Sequence, residues 1–261
     1  MSLALDHIVI AVADLDAAFA DYTKLGFTVI RGGEHANGIT HNVLVVFQDG
    51  AYLELIGWKR PEPGNRWSDI FHAHGEGFVD HALLPDNMGA IVSGAQSRGL
   101  DIADPIPGGR NRPDGERLEW QTARSPKPDV PFLCGDITPR RLRVQEGDVR
   151  RHANGVTGVA RLTVAVNDVE VSARRYAALL GSAVPRAEES VVGDAPARTA
   201  SLRLANGTSV ILASPLGAEG ELAKAITERG EGPFSVVFAA GGGEPQALDP
   251  ALTHGARLSI T

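Results

Sequence analysis

The sequence holds almost no sulfur. One cysteine, Cys134, and two methionines stand among 261 residues. A lone cysteine excludes an intramolecular disulfide and any Cys-rich metal site, and it fits a reducing cytoplasm. Long apolar runs are missing too: none approaches the ~20 residues that cross a bilayer. The N-terminus enters a strand pattern without the basic region, apolar stretch and small-residue cleavage site of a secretory leader, so none is expected. Positive charge is in deficit. A formal net charge of −7 argues against nucleic acid or an anionic membrane as the main partner. What remains for metal or acid–base chemistry is eight histidines and the carboxylates.

A hydrophobic content of 43% is enough to bury a core, as one domain or as two compact halves. The first strand, Leu5-Asp-His-Ile-Val-Ile-Ala-Val12, carries His7. Asp14 caps a helix through Leu25 that Gly26 stops. Thr28 to Ile30 start a second strand, broken at Gly32-Gly33, and Thr40 to Phe47 form a third. Asp49-Gly50 signals a two-residue hairpin into a fourth strand, Ala51 to Trp58, which carries Glu54. With that loop Val45 faces Glu54, and His41, Val43, Val45, Phe47, Tyr52, Glu54 and Ile56 share a face. His41 and Glu54 then point into one concavity. A histidine and a glutamate on otherwise buried strands are costly to desolvate without a partner, and a shared metal ion is one such partner.

The order strand, helix, three strands recurs. Phe78-Val-Asp-His-Ala-Leu-Leu-Pro-Asp86 reopens it, with His81 in the place of His7, a helix from Met88 to Arg98, and strands near 101–106, 117–123 and 130–136. A third copy begins at Gly155, with Arg161 where the first has His7 and Ile211 where it has Glu54. A shortened fourth copy covers 234–240 and 257–260, with Val237 in the place of His81. The division is 1–138, a linker 139–154, and a degenerate half 155–261. Arg140, Arg141, Arg143, Arg150 and Arg151 in the linker read as a solvated basic run. His35, His72, His74 and His254 read as surface residues and His152 as a turn residue. Trp58, Trp67 and Trp120 read as pocket walls or core, and Cys134 has no evident activating neighbour.

This repeat, with the runs Gly33-Glu-His-Ala-Asn-Gly-Ile-Thr-His-Asn42, Tyr52-Leu-Glu-Leu-Ile56, Gly109-Arg-Asn-Arg-Pro-Asp-Gly-Glu-Arg-Leu-Glu-Trp120 and Pro131-Phe-Leu133, resembles the vicinal oxygen chelate superfamily, and more narrowly the glyoxalase-like domain family. The resemblance implies an α+β fold: repeated βαβββ modules paired into cupped mixed β-sheets with helices packed outside. It also implies a metal at the centre of the cup, on His7, Glu54, His81 and a carboxylate from the last strand of the second copy. That strand has no glutamate, so the place falls to Asp136 or to water. Two imidazoles and a carboxylate suit Fe, Mn, Ni or Zn and leave room for two adjacent substrate oxygens.

Glu54 and His41 are the candidates for moving a proton. Asn42, Tyr52, Arg110, Arg112 and Trp120 are the candidates for substrate contact, and Arg110, Arg112 and Arg124 suggest an anionic substrate. The expectation is a cytoplasmic, metal-dependent lyase or isomerase, or less readily a dioxygenase, acting on a small oxygenated molecule. A homodimer is compatible with it. The alternative is a metal-free small-molecule-binding or resistance protein of the same fold.

Overall fold

The structure, a computed structural model, describes residues 2–35, 38–112 and 114–261. Ala36 and Asn37 in the run from Gly33 to Asn42, and Pro113 in the run from Gly109 to Trp120, lie outside the described residues. The order of elements is β1 (Leu3–Ala11), α1 (Leu15–Lys24), β2 (Ile30–His35), β3 (Thr40–Val46), β4 (Tyr52–Trp58), α2 (Arg66–His74), β5 (Gly77–Pro85), α3 (Met88–Ser97), β6 (Ile106–Asn111), β7 (Arg117–Ala123), β8 (Phe132–Asp136), α4 (Arg140–Arg143), β9 (Gly158–Ala165), α5 (Val169–Leu180), β10 (Ala187–Val192), β11 (Ala195–Arg203), β12 (Ser209–Pro215), α6 (Glu221–Arg229), β13 (Gly232–Ala239), β14 (Gln246–Ala247) and β15 (Arg257–Ile260).

The first eight strands close a barrel in the order β1-β4-β3-β2-β6-β7-β8-β5, and the rest form an open sheet, β10-β11-β12-β9-β13-β15-β14. The barrel is two βαβββ modules joined along β1–β5 and along a short seam, where Glu34 pairs with Asn111 and His35 with Arg110. α1 forms where the Asp14 carboxylate accepts from the Asp16 and Ala17 N–H groups, and it buries Leu15, Ala18 and Tyr22. The outer faces of β1, β4 and β5 (Ile8, Ile10, Leu53, Leu55, Leu83) pack with Leu162, Val164, Leu212 and Phe238 of the second sheet and with Tyr176 of α5 into one core. That shared core is why β1 and β4 are apolar on both faces. Among the described residues no helix is long and apolar enough to cross a membrane.

Three readings of register change. The β3–β4 connection is longer than two residues: Phe47 N–H donates to Ala51 O and Gly50 N–H to Phe47 O, with Val46 opposite Tyr52. The second sheet shapes this turn, since Gln48 N–H donates to Thr157 O and the Asp49 carboxylate accepts from Val159 N–H. Glu54 therefore faces Leu44 rather than Val45. The one-residue slip exchanges the faces of β3, so Asn42 points into the barrel and His41 points out. β2 is not broken at Gly32-Gly33 but passes through them with an irregularity opposite Val43 and Asn42. A Cβ on Gly32 would lie 1.9 Å from Asn42 Oδ1, so glycine makes room for that amide.

The third change concerns His81. α3 is capped by Asn87, whose Oδ1 accepts from Ala90 N–H, while Asp86 accepts from Ser2 N–H. Counted from the caps Asp14 and Asn87, the counterpart of His7 is Asp80. His81 is one residue further and lies opposite Ile8, on the outer face. Asn87→Ala is expected to cost about 1 kcal/mol, the usual loss of an N-cap. Asp86→Ala is expected to cost less, and urea denaturation of both variants checks the order. A larger loss for Asp86→Ala would make Asp86 the cap.

Candidate functional site

The barrel encloses a cavity of about 300 Å³, lined by His7, His35, Asn42, Tyr52, Glu54, Arg110 and Arg143, with Trp58, Trp67, Trp120 and Phe132 as its aromatic walls. A bulge in β1 builds its centre. Leu5 pairs with Leu83 and His7 with Ala82, so Asp6 is the extra residue and the strand's alternation is interrupted. Asp6 and His7, neighbours in sequence, meet side by side instead of facing away from each other: His7 Nδ1 lies 2.7 Å from Asp6 Oδ2. The His7 ring stacks on Tyr52, with centroids 4.7 Å apart, and meets Phe132 edge-on.

Glu54 comes from β4 beside them. Its Oε2 lies 3.4 Å from His7 Nε2, and its Oε1 accepts from Asn42 Nδ2 at 2.6 Å and lies 3.5 Å from His35 Nε2. Burial pushes the Glu54 carboxyl up, but His7, His35, the Asn42 amide and Arg110 outweigh it and hold the group below its ordinary range. Burial pushes the His35 imidazole down against the pull of Glu54, while His35 Nδ1 is 2.8 Å from Thr40 Oγ1.

The basic linker is not a solvated run. α4 inserts Arg143 among carboxylates at the end of the barrel where β1 begins and β8 ends. Its guanidinium bonds Asp6 through Nη1 (2.8 Å) and Nη2 (3.1 Å), Asp136 through Nε (2.5 Å) and Nη2 (2.9 Å), and the Tyr52 hydroxyl at 2.7 Å. Arg140 adds bonds to Asp6 (2.6 Å), Asp136 (3.0 Å) and Gly50 O (2.7 Å). Asp6 is wholly buried, and burial raises its pKa. Arg143, His7 and Arg140 more than reverse this and hold it well below the carboxylate range.

The resemblance implies a divalent metal, and the residues present do not fit it. Among the described residues, the one trio of His, Cys and carboxylate donors lying within 4.8 Å of one another is Asp6, His7 and Cys134. Both Asp6 oxygens are already held by guanidinium groups, and burial pushes the Cys134 thiol up, away from the thiolate a metal requires. An ion there would also face the Arg143 cation at hydrogen-bond range of the same carboxylate. His7 and His35 attend different oxygens of Glu54 and do not converge with it on one point. His81 lies outside the cavity, its Nε2 3.1 Å from the Tyr176 hydroxyl on α5. Asp136 is committed to Arg140 and Arg143. Asp80, the true counterpart of His7, is taken by Trp67 Nε1 (2.8 Å) and Arg124 (3.0 Å).

Of the other residues singled out from the sequence, Asn42, Tyr52, Arg110 and Trp120 line the cavity. Arg112 instead pairs with Asp114 (2.8 Å) and donates to Leu142 O. His41 is on the outer face, so the proton-moving role assigned to it has no access to the cavity. Sequence reasoning missed Asp6, His35 and Arg143. The available signals were a carboxylate adjoining His7, and Arg140 and Arg143 at the i, i+3 spacing of one helical turn. No pattern marked His35, because its direction depends on the irregularity in β2.

The architecture recurs in solved structures. A hypothetical protein from Staphylococcus aureus superposes with a TM-score of 0.71 at 15% identity, covering 99% of both chains. A mutant 4-hydroxymandelate synthase from Streptomyces coelicolor gives 0.65 at 17% identity, covering 92% of this chain and 72% of that one. A xylose isomerase-like TIM barrel/4-hydroxyphenylpyruvate dioxygenase fusion protein gives 0.51 at 16% identity, over 93% of this chain and 38% of that one. These likenesses define the class: a vicinal oxygen chelate fold. The sequence profile of the glyoxalase-like domain matches residues 5–180, and the chain belongs to that family. No curated protein sequence matches it.

Proposed function

We propose that the protein is a metal-independent enzyme of the lyase or isomerase kind, binding one small oxygenated organic molecule in the barrel and moving a proton with His7. The reading rests on the line Asp6–His7–Glu54. Asp6 is ionised and accepts from His7 Nδ1, which leaves Nε2 as the acceptor facing Glu54 Oε2 at 3.4 Å. Nε2 so placed can take a proton from a carbon next to a carbonyl and return it at a neighbouring atom, and Asp6 and Glu54 stabilise the imidazolium that forms between those steps. The aromatic walls supply apolar contact for the organic body. The same features support a second reading, a protein that sequesters the molecule without turnover. A cytoplasmic location accords with the single buried thiol.

Two measurements test this. Elemental analysis after purification without chelators is expected to find substoichiometric metal, with no rise in Tm on adding Mn, Fe(II), Ni or Zn. A full equivalent of metal that disappears in His7→Ala and Glu54→Ala overturns the metal-independent reading. In deuterium oxide, wash-in at the C–H beside the carbonyl of small hydroxyketones, followed by NMR, reports proton transfer. His7→Gln is expected to slow it by about 10²–10⁴-fold, the usual worth of a positioned acid–base group. Ligand binding without wash-in favours the sequestering protein.

A further inference from the structure

The cavity holds one buried cation that the fold itself does not neutralise. Arg110 and Arg143 are both 4% exposed. Arg143 is surrounded by Asp6 and Asp136. Arg110, on β6, spends Nη1 on the carbonyl of Gly32, and among the described residues no carboxylate lies within ion-pairing distance of it. The Glu54 charge is close enough to be felt but does not bond it. A guanidinium taken out of water without a counter-charge is costly, and a fixed fork of donors on a cavity wall is a receptor for a planar oxyanion. The other candidate arginines are consumed elsewhere, Arg112 by Asp114 and Arg124 by Asp80.

Two further wall atoms are buried without partners: the Trp58 indole N–H, a donor, and Asn42 Oδ1, an acceptor. Gly32 is glycine because Asn42 Oδ1 occupies the space of its Cβ, so the Asn42 amide sits beside the strand whose carbonyl holds Arg110. The unmet bonding of the cavity is therefore a cation, a donor and an acceptor. We propose that the molecule bound here is a monocarboxylate with a flat organic body and a hydroxyl group. Its carboxylate is held by Arg110, its body lies between the aromatic walls, and Trp58 and Asn42 bond its remaining oxygen functions. Ionised Glu54 nearby disfavours a dianion such as phosphate. The proposal rests on the cavity reading above and names its substrate class, independently of whether His7 turns the molecule over.

The probes are benzoate, 4-hydroxybenzoate, benzamide and inorganic phosphate, with affinity by calorimetry and Tm shift on the full chain. The acids are expected to bind and raise the Tm, 4-hydroxybenzoate the more tightly, and benzamide and phosphate at least tenfold more weakly. Arg110→Gln is expected to lose at least tenfold affinity for the acids and to leave benzamide unchanged. Trp58→Phe, which keeps the ring and removes the N–H, is expected to weaken 4-hydroxybenzoate severalfold and serves if Arg110→Gln does not fold. His7→Gln should still bind the acids, which separates this proposal from the proton-transfer reading. Equal affinity for acid and amide, unchanged acid affinity in Arg110→Gln, unchanged 4-hydroxybenzoate affinity in Trp58→Phe, or no binding by the acids at all, overturns the receptor.

Discussion

Arg143→Met is expected to destabilise the protein by about 3–5 kcal/mol at neutral pH, the cost of removing one partner from a buried ion cluster. Asp6 is wholly buried, and Arg143 donates to both its oxygens, to both oxygens of Asp136 and to the Tyr52 hydroxyl. Methionine matches the aliphatic stem and nothing else. Arg140 remains, but it reaches only one oxygen of each carboxylate. Arg143→Lys keeps the charge and loses the fork, so an intermediate loss is expected. The triple variant Asp6→Asn, Asp136→Asn, Arg143→Met removes charge from both sides and is expected to recover much of the loss, since Arg140 is partly exposed and can turn to water. Urea denaturation at pH 7 decides. A single-variant loss under about 1 kcal/mol would mean the cluster is no more than a surface pair in effect.

This cluster shows what was legible in the chain and what was not. The repeat could be read because strand, capping residue and stopping glycine are local signals: Asp14 and Asp168 cap their helices, and Gly181 ends its helix in the left-handed conformation. Register could not be read in the same way. The Asp49-Gly50 pair is a good two-residue turn in isolation, yet contacts with Thr157 and Val159 hold a longer one. That slip moved Asn42 in and His41 out. The choice between Asp80 and His81 turned on which of Asp86 and Asn87 caps α3, and both are residue types that cap. The bulge at Asp6 leaves no composition signal at all. A five-arginine linker has the composition of a solvated segment, and only the buried carboxylates facing it make Arg140 and Arg143 part of the core.

The one-residue offset between Asp80 and His81 gives His81 a different role, with a large consequence in acid. Its ring lies between the barrel and α5, with Nε2 at the Tyr176 hydroxyl and Nδ1 unpartnered. Burial is the leading cause that pushes it down to about 4; Asp80 pulls the other way, and Arg66 and His7 add to the lowering. In the unfolded chain the imidazole titrates near its ordinary value of about 6.5. Between these values the unfolded state binds a proton that the native state refuses, so stability falls as pH drops from about 6.5 to about 4, by about 3 kcal/mol in all. Above about 6.5 the contribution is flat.

Other buried groups also weaken the fold in acid, Asp6 among them, so the informative quantity is the difference between wild type and His81→Gln. Glutamine keeps a polar end for Tyr176 and does not titrate. In the middle of the window the difference is expected to change by about 1.4 kcal/mol per pH unit, one proton's worth, with the variant the less acid-sensitive. Urea denaturation across pH 4.5–7.5 reads it directly. Parallel curves would mean that His81 takes up its proton in the folded protein as readily as in the unfolded chain, as an imidazole open to water does. The interface would then tolerate a charge where the structure packs an imidazole against Tyr176 and the apolar core shared by both halves.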